Sequence, residues 1–340
     1  MEFNNLTFDP NGPRDHPAFV YDDVYRTYKD GQNPEALFGK ALHYLSSLRV
    51  NHTPEQQETI HKEVTESLFH AIYGSNCIEQ AGLGWDATRY LCYKTLHEPD
   101  FIPEINEDDP DFDRKIENLY AADHILRGKS RSHVVRGRRE VIQHMRAFKY
   151  ILERFWVHKE DLTEDLIKRT HEILCKGVSI IDPGAEYPDV PYEIYAGKYR
   201  NVPVGAGNTM FVMPQYVPAK MAEMCANLKS DIDGKEVLDP FSLAAKYSLR
   251  FVEIHPFQDG NGRMCRIILN AILFRYVGTF ISIGETQDEI NEYINIKKRA
   301  SRHMEGHGEY ATFVLKKSVR SIQKLKQKVN GKKSAEAALR

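Results

Sequence analysis

The spacing of apolar residues along the chain predicts a protein built mainly from α-helices. Residues 36–48 (ALFGKALHYLSSL) place four leucines at helical intervals, and a second helix starts at Thr53. Thr53 is the expected N-cap of that helix, with Pro54 at its first position and Gln56 in the capping-box position. The helical period returns in residues 138–155, 161–178, 217–228, 240–252, 263–276 and from 288 onward.

Two stretches break this pattern. Residues 101–115 (FIPEINEDDPDFDRK) are acidic and contain prolines, so they are predicted to form a loop near the main subdomain boundary. Residues 194–214 (IYAGKYRNVPVGAGNTMFVMP) are rich in glycine, valine and tyrosine, which predicts short strands with a turn at 205–208. We therefore expect a small β-hairpin flap inserted into a helical protein.

Composition excludes several function classes. The chain has 340 residues, 41% of them hydrophobic, and its 46 basic and 48 acidic residues give a formal net charge of -2. That balance provides no overall field for nucleic acid or an anionic membrane, so neither partner is expected. No apolar run approaches the roughly eighteen residues that span a bilayer, and the N-terminus lacks signal-peptide features. We expect a cytoplasmic or nuclear protein whose five cysteines are reduced.

The segment from His255 to Asn270, HPFQDGNGRMCRIILN, carries the chemistry. A helix is predicted to end near residue 254 and an apolar helix to start near Gly262. Gly260 and Gly262 permit backbone conformations in which successive N–H groups form a concave nest at the positive end of that helix. This loop-then-helix layout favours a phosphate.

Side chains beside that nest fit a nucleotide. Arg263 and Arg266 stand three residues apart on one helix face, where both guanidiniums could bind outer phosphates. Asp259 supplies an oxygen ligand for Mg²⁺, and Asn261 can donate to phosphate oxygens. His255 has the side chain that can accept a hydroxyl proton at neutral pH. The constellation predicts a phosphoryl-type transfer, although neither a Walker A loop nor a dinucleotide fingerprint is present.

HPFQDGNGRMCR resembles the Fic-domain signature HPFx[DE]GNGRxxR at every fixed position. The resemblance extends over roughly residues 138–318 and implies a mainly helical Fic fold with a β-hairpin flap. It implies AMP transfer from ATP to a Ser, Thr or Tyr hydroxyl of a protein substrate, with pyrophosphate as the by-product. The implied roles are deprotonation by His255, Mg²⁺ binding by Asp259, and phosphate binding by the glycines and remaining motif residues: Gly260, Asn261, Gly262, Arg263 and Arg266.

A second motif lies upstream, where SNCIEQ resembles the inhibitory helix motif [ST]xxxE[GN] of the same family. Ser75 and Glu79 occupy its fixed positions, and Gln80 replaces the usual Gly or Asn. A carboxylate at Glu79 could reach Arg266 and compete with the γ-phosphate, which predicts autoinhibition. The resulting division is an N-terminal helical region with this motif (1–110), a catalytic domain (111–318) and a basic tail (319–340).

Adenine contacts are predicted only by position. Gly207, Asn208 and Thr209 in the flap turn and Tyr293 in a later helix are the candidates. The region around Tyr293 matches the family pattern poorly, so the nucleotide preference stays open. A homodimer also stays open.

Two other functions remain alternatives. The same pocket could hydrolyse AMP from a modified protein, with Glu79 orienting a water. The chain could also be a non-enzymatic interaction module that only senses ATP. Replacing Glu79 separates the first from AMP transfer, and replacing His255 separates the second.

Overall fold

The computed structural model describes residues 17–338 apart from several short segments. Those outside the description are 49–51, 99–101, 103–104, 106–107, 123–125, 127, 182–188, 207–208 and 303–305.

Helices make up most of the described chain, as the apolar period predicts. In chain order they are α1 (Pro34–Leu48), α2 (Pro54–Ile78), α3 (Trp85–His97), α4 (Phe112–Ala122), α5 (Arg131–Leu152), α6 (Glu164–Cys175), α7 (Tyr192–Tyr195), α8 (Val217–Ile232), α9 (Pro240–Ile254), α10 (Asn261–Val277), α11 (Gln287–Arg302) and α12 (Gly308–Ala338). The short strands are β1 (Ala18–Phe19), β2 (Gly205–Ala206), β3 (Thr209–Met210) and β4 (Val237–Leu238).

The chain forms two compact units, each assembled from separate segments. One unit comprises Met1–Ala71, Ala226–Glu253 and Cys265–Arg340, and the other comprises Ile72–Cys225 and Ile254–Met264. The predicted boundaries at residues 110 and 318 stay a prediction.

The first unit contains α1, α9, α11, α12 and most of α10. Helix α12 packs against α1 and α11, and β1 pairs with β4 in parallel. Helix α10 is apolar around its circumference: the consecutive residues Ile267, Ile268 and Leu269 are all fully buried. A helix buried on every side is a core element, so α10 forms the centre of this unit.

The second unit contains α3 to α7 and the hairpin flap. Helix α5 packs against α3, α4 and α6. Strands β2 and β3 pair antiparallel, with Gly205 opposite Met210 and Ala206 opposite Thr209. The predicted hairpin is therefore confirmed.

Local capping signals account for the helix starts that the sequence predicts. Thr163 Oγ1 accepts a hydrogen bond from Leu166 N at 3.2 Å, which starts α6. Thr53 and Gln56 form the capping box: Gln56 N donates to Thr53 Oγ1 (3.3 Å) and Thr53 N donates to Gln56 Oε1 (3.1 Å).

Several features were not predicted, among them the following three. Helix α4 begins at residue 112, inside the predicted acidic loop. Helix α5 continues into a π-helical turn over Glu153–Val157, and β1 lies in a stretch predicted to be irregular. A two-residue strand is too short to give an alternating pattern, so sequence periodicity could not identify it.

Candidate active site

The HPFQDGNGRMCR motif forms a loop between α9 and α10, as predicted. His255 begins this loop with φ of 52°, and Gly260 ends it with φ of 75°. Met264 N donates to Gly260 O at 3.0 Å, so helical hydrogen bonding starts immediately after the loop. The first N–H groups of α10 have no partners within the helix, and they lie beside a left-handed glycine. We call residues 255–260 the catalytic loop.

Gly260 is required by both its conformation and its surroundings. Its φ lies in the left-handed region, where a side chain is strained. A Cβ at this position would also lie 3.0 Å from His171 Nε2 and 3.1 Å from Cys175 Sγ. The loop backbone therefore packs directly on α6.

His171, on α6, connects the catalytic loop to the segment that precedes the flap. Gly197 N donates to its Nδ1 at 2.9 Å, so the ring proton is assigned to Nε2, which donates to Asp259 O at 2.9 Å. The ring also stacks on Phe257, with 3.6 Å between centroids and 4° between planes. Burial lowers the pKa of His171 to about 4, which maintains the neutral tautomer that makes both hydrogen bonds.

Arg200 contacts the other end of the catalytic loop. Its Nε donates to His255 O at 2.6 Å, and its backbone N donates to Pro256 O at 2.9 Å. The same guanidinium donates to Val202 O at 3.1 Å and to Val212 O, on either side of the hairpin. We call residues 197–200 the flap stem, because this segment joins the flap to both ends of the catalytic loop.

The His255 side chain is half-buried and stacks on a residue of the flap region. Its ring lies 3.8 Å from the Phe211 ring, with 11° between planes. A non-glycine residue in left-handed conformation costs about 1–2 kcal/mol. The hydrogen bond from Arg200 to the His255 carbonyl contributes to holding that conformation. Different residues therefore position the two parts of His255: Arg200 holds its backbone and Phe211 stacks on its ring.

Arg263 is the most unusual side chain of the site. It is 3% exposed, and neither its Nε nor its Nη1 has a hydrogen-bond partner among the described residues. Its Nη2 lies 3.5 Å from Asp259 Oδ2. Burial lowers the pKa of Arg263, but the carboxylates of Asp259, Glu140 and Glu79 outweigh that effect and leave the pKa raised. A buried guanidinium with unused donors needs an anion.

The side chains of Asp259 and Asn261 differ in their accessibility to a ligand. The Asp259 carboxylate is 40% exposed, so one carboxylate is accessible at the loop and fits a Mg²⁺ that keeps most of its waters. The Asn261 amide contacts the backbone of Phe257: its Oδ1 accepts from Phe257 N at 3.0 Å and its Nδ2 donates to Phe257 O at 2.8 Å. Asn261 therefore braces the loop, and its predicted contact with phosphate stays a prediction.

The motif SNCIEQ, whose inhibitory role stays a prediction, lies at the C-terminus of α2 and in the turn that follows it. Ser75 is buried in the last turn, and Glu79 is exposed in the turn that follows Ile78. Gln80 has φ of 53°, the left-handed conformation that favours glycine or asparagine at a helix end. This geometry explains why the motif usually has Gly or Asn there.

The segment around Glu79 is attached to α5. Asn76 Oδ1 lies 2.9 Å from His144 Nδ1, and Gly82 N donates to Glu140 Oε2 at 2.7 Å. A Cβ at Gly137 would lie 2.4 Å from Gly82 O, so the two backbones touch. Glu79 is thereby set on a braced segment near Arg263, whose pKa its charge raises.

The structure places some of the remaining predicted residues, and two fall outside the description. Gly207 and Asn208 fall outside the described residues, and Thr209 belongs to β3. Arg266 is buried on α10. Tyr293 is buried in the first unit, where its hydroxyl accepts a hydrogen bond from Lys297 Nζ at 3.1 Å. The adenine contacts stay predictions.

Sequence reasoning missed three residues that position the site: His171, Arg200 and Phe211. The sequence places His171 only within the helical period of residues 161–178, and it places GKYR only within the segment predicted to form the flap. Their contacts are made with residues 44 to 88 positions away, for which a single sequence carries no signal.

Comparisons with known proteins agree with this geometry. The Fic/DOC family model matches residues 161–273. A Fido domain-containing protein of Dictyostelium discoideum is 36% identical over 110 residues, which make up 32% of this chain and 74% of that protein. The protein adenylyltransferase Fic of Nematostella vectensis is 25% identical over 255 residues, 74% of this chain but 47% of that protein.

Solved structures share the fold. The structure of C. elegans Fic-1 (its residues 134–508) has a TM-score of 0.62 at 20% identity, covering 89% of this chain and 73% of that chain. A mainly helical protein with a hairpin flap and this catalytic loop is of the Fic type. The chain belongs to the Fic/DOC family, and the predicted Fic fold is confirmed. It spans about half the length of the Nematostella adenylyltransferase. Among the described residues, no helix has the length and apolarity to cross a membrane.

Proposed function

We propose that this chain transfers AMP from Mg-ATP to a hydroxyl group of a protein substrate, and that Glu79 restrains this activity. The observation that carries the proposal is Arg263, a buried guanidinium with two unused donor atoms beside a glycine-bent loop at a helix start. The names of the adenylyltransferase relatives support an adenine nucleotide as the donor.

The phosphate-binding part of the proposal rests on the electrostatics of the catalytic loop. Without an anion, the buried Nε and Nη1 of Arg263 have no hydrogen-bond partner among the described residues. Leaving such donors unpaired costs on the order of several kcal/mol, which a phosphate oxygen would offset. The N–H groups at the start of α10 supply further donors.

The proton-transfer part rests on His255. The imidazole takes the proton of the target hydroxyl as its oxygen forms a bond to the α-phosphorus of ATP. The bond from that phosphorus to the β-phosphate oxygen breaks, and pyrophosphate leaves with its electron pair. Negative charge gathers on the α-phosphate oxygens and the leaving group, where Arg263 and the helix N-terminus stabilise it. Arg200 and Phe211 orient the base.

Mg²⁺ fits the loop through Asp259, whose accessible carboxylate is the type of ligand this ion prefers. When bound, the ion neutralises charge on the phosphate oxygens.

The restraint part rests on the position of Glu79. Its charge is one of those that raise the pKa of Arg263, after the charges of Asp259, Cys175 and Glu140. An anion near this guanidinium competes with the outer phosphates of ATP for the same cationic group. Removing the carboxylate should therefore allow the nucleotide to bind in a productive position.

Labelling with α-phosphate-labelled ATP tests the proposal. We expect Glu79→Gly and Glu79→Gln to increase self-labelling by up to about fivefold, since an exposed charge pair is worth at most about 1 kcal/mol. Glu58→Gln, an exposed glutamate on helix α2, is the control and should leave labelling unchanged. Adding His255→Ala to Glu79→Gly should abolish it.

Intact mass spectrometry of Glu79→Gly with each nucleoside triphosphate identifies the transferred group. Loss of AMP from a modified protein by the wild type, abolished in Glu79→Gly, would favour the hydrolase function instead. Nucleotide binding without labelling in any variant would leave only the ATP-sensing function.

A further inference from the structure

A second concave region lies in the unit that contains α5, away from the catalytic loop. A cavity of about 350 Å³ is lined by α5, by the segment after α6 and by α7. It adjoins a more open cavity of about 600 Å³ that shares Arg146, Lys176 and Tyr192. Among the described residues that line these cavities, none belongs to the catalytic loop. We call the first of them the α5 cavity.

The α5 cavity is strongly cationic. Among the described residues that line it, Arg138, Arg139, Arg146 and Lys176 are cationic and Glu193 alone carries a carboxylate. The net charge of this described lining is therefore positive in a protein whose total charge is close to zero.

These charges are incompletely paired. The side-chain cations of Arg146 and Lys176 make no ion pair or hydrogen bond with any described residue. Arg138 is 6% exposed, and both burial and the charge of Arg146 lower its pKa. Arg139 Nη2 donates to Ile105 O at 3.1 Å. Like charges gathered around a partly enclosed volume repel each other, and an anion in that volume would reverse the sign of the interaction.

The geometry indicates an anion with more than one charged group. Arg138 and Arg146 stand eight residues apart on α5, about 12 Å along the helix axis. A ligand with two or three linked phosphates presents enough anionic oxygens to pair with several of these cationic side chains at once, which a single phosphate does less completely. Guanidinium forks match phosphate oxygens in pairs, which favours phosphate over a simple halide or carboxylate.

The rest of the lining sets the size of the ligand. Ile105, Val135 and Ile142 form an apolar part of the wall, and Tyr192 lies at the opening to the adjoining cavity. A volume near 350 Å³ suits a small molecule rather than a polymer. We propose that the α5 cavity is a second anion-binding site, which takes a small molecule carrying a diphosphate group.

Pyrophosphate and ADP are the probes, because they carry the same group from two sources. Calorimetric titration of the full chain should detect binding that Arg146→Gln/Lys176→Gln weakens at least about tenfold. The matched control is the double variant Arg154→Gln/Lys220→Gln, which also removes one arginine and one lysine charge from the same unit. In the wild type these two side chains form surface ion pairs with Glu160 and Glu223, outside the cavity. Arg263→Gln should retain the cavity binding while losing any binding at the catalytic loop.

Acylation of Lys176, followed by peptide mass spectrometry, locates the bound anion independently. Lys176 is exposed without ligand, so it should react readily and be protected several-fold when either probe binds. If ADP protects Lys176 at a lower concentration than pyrophosphate does, the ligand is a nucleotide. If pyrophosphate protects it at the lower concentration, the ligand is free pyrophosphate. If neither probe protects Lys176, or if the control pair weakens binding equally, no such site exists. These measurements do not involve AMP transfer, so they stand whether or not the proposed function does.

Discussion

Replacing His171 with phenylalanine tests whether α6 positions the catalytic loop. Phenylalanine keeps a planar ring that can still stack on Phe257, but it removes both ring nitrogens. The Gly197 N–H and the Asp259 carbonyl, both partly buried, would then lose the partner that the fully buried His171 ring provides. The substitution therefore separates the hydrogen bonds of this residue from its packing.

The expected loss of stability at neutral pH follows from those two groups. Each buried polar group left unsatisfied costs about 1–3 kcal/mol, so we expect the free energy of unfolding to fall by about 2–4 kcal/mol. The loop end at Gly260 also loses its attachment, and misplacement of reacting groups by about 1 Å can cost about 100-fold in rate. We expect kcat for AMP transfer to fall more than the KM for ATP rises.

The pH dependence gives a sharper signature. His171 titrates near 6.5 in the unfolded chain and at about 4 in the folded one. Below pH 6.5 the unfolded state therefore binds a proton that the folded state does not. This contribution to stability is fully present above pH 6.5, falls as the pH decreases, and is lost by about pH 4. The difference corresponds to about 3 kcal/mol.

Urea unfolding of the wild type and His171→Phe at half-unit steps from pH 7.5 to 4 measures this effect. The variant lacks the titrating ring, so the two stability curves should converge as the pH falls. The control is Thr170→Val, because Thr170 is a buried neighbour whose hydroxyl donates to Leu166 O within α6. Its stability should change with pH in parallel with that of the wild type. A constant gap between the wild type and His171→Phe would show that His171 is not held neutral. Unchanged kcat in a Glu79→Gly background would refute its role in positioning the loop.

Two further predictions concern the inhibitory segment. Gln80→Gly should raise the free energy of unfolding by about 0.5–1 kcal/mol in urea titrations. Glycine relieves the strain of the left-handed backbone conformation, and this gain exceeds the entropy that glycine adds to the unfolded chain. An unchanged or lower free energy of unfolding would contradict this prediction. Gly137→Ala should push on the Gly82 carbonyl, loosen the segment that carries Glu79 and raise basal AMP labelling, at a cost of about 1–3 kcal/mol in stability. Gly39→Ala is the control, because Gly39 is a helical glycine with open space around it. This control should leave AMP labelling unchanged and should not lower stability. Equal labelling by Gly137→Ala and Gly39→Ala would count against the proposed restraint by Glu79.

The sequence predicts the elements whose signals are local. Apolar period and capping residues suffice for α2 and α6, since Thr53 and Thr163 make the hydrogen bonds that their positions imply. The catalytic loop is equally local, because its two glycines and its helix start lie within a few residues of each other. Helix α4 was missed because its acidic and proline-containing flank resembles a loop.

The contacts that position the catalytic loop leave no such signal. His171 and Arg200 bind main-chain carbonyls, of Asp259 and His255 respectively. Every residue has a carbonyl, so the identity of the loop residues does not reveal these contacts. Only the folded chain brings the donors to them.

This arrangement has a consequence for how a protein substrate could influence the chemistry. The flap stem contacts the catalytic loop at both ends: Gly197 acts through His171, and Arg200 acts directly. The Arg200 guanidinium also binds carbonyls on both sides of the hairpin, so a shift of the hairpin changes the same set of hydrogen bonds that orients the His255 backbone. A substrate segment that docks on the flap would therefore alter the position of the base without touching it. Substitutions in the flap stem should accordingly change kcat even though no residue of the stem belongs to the HPFQDGNGRMCR motif.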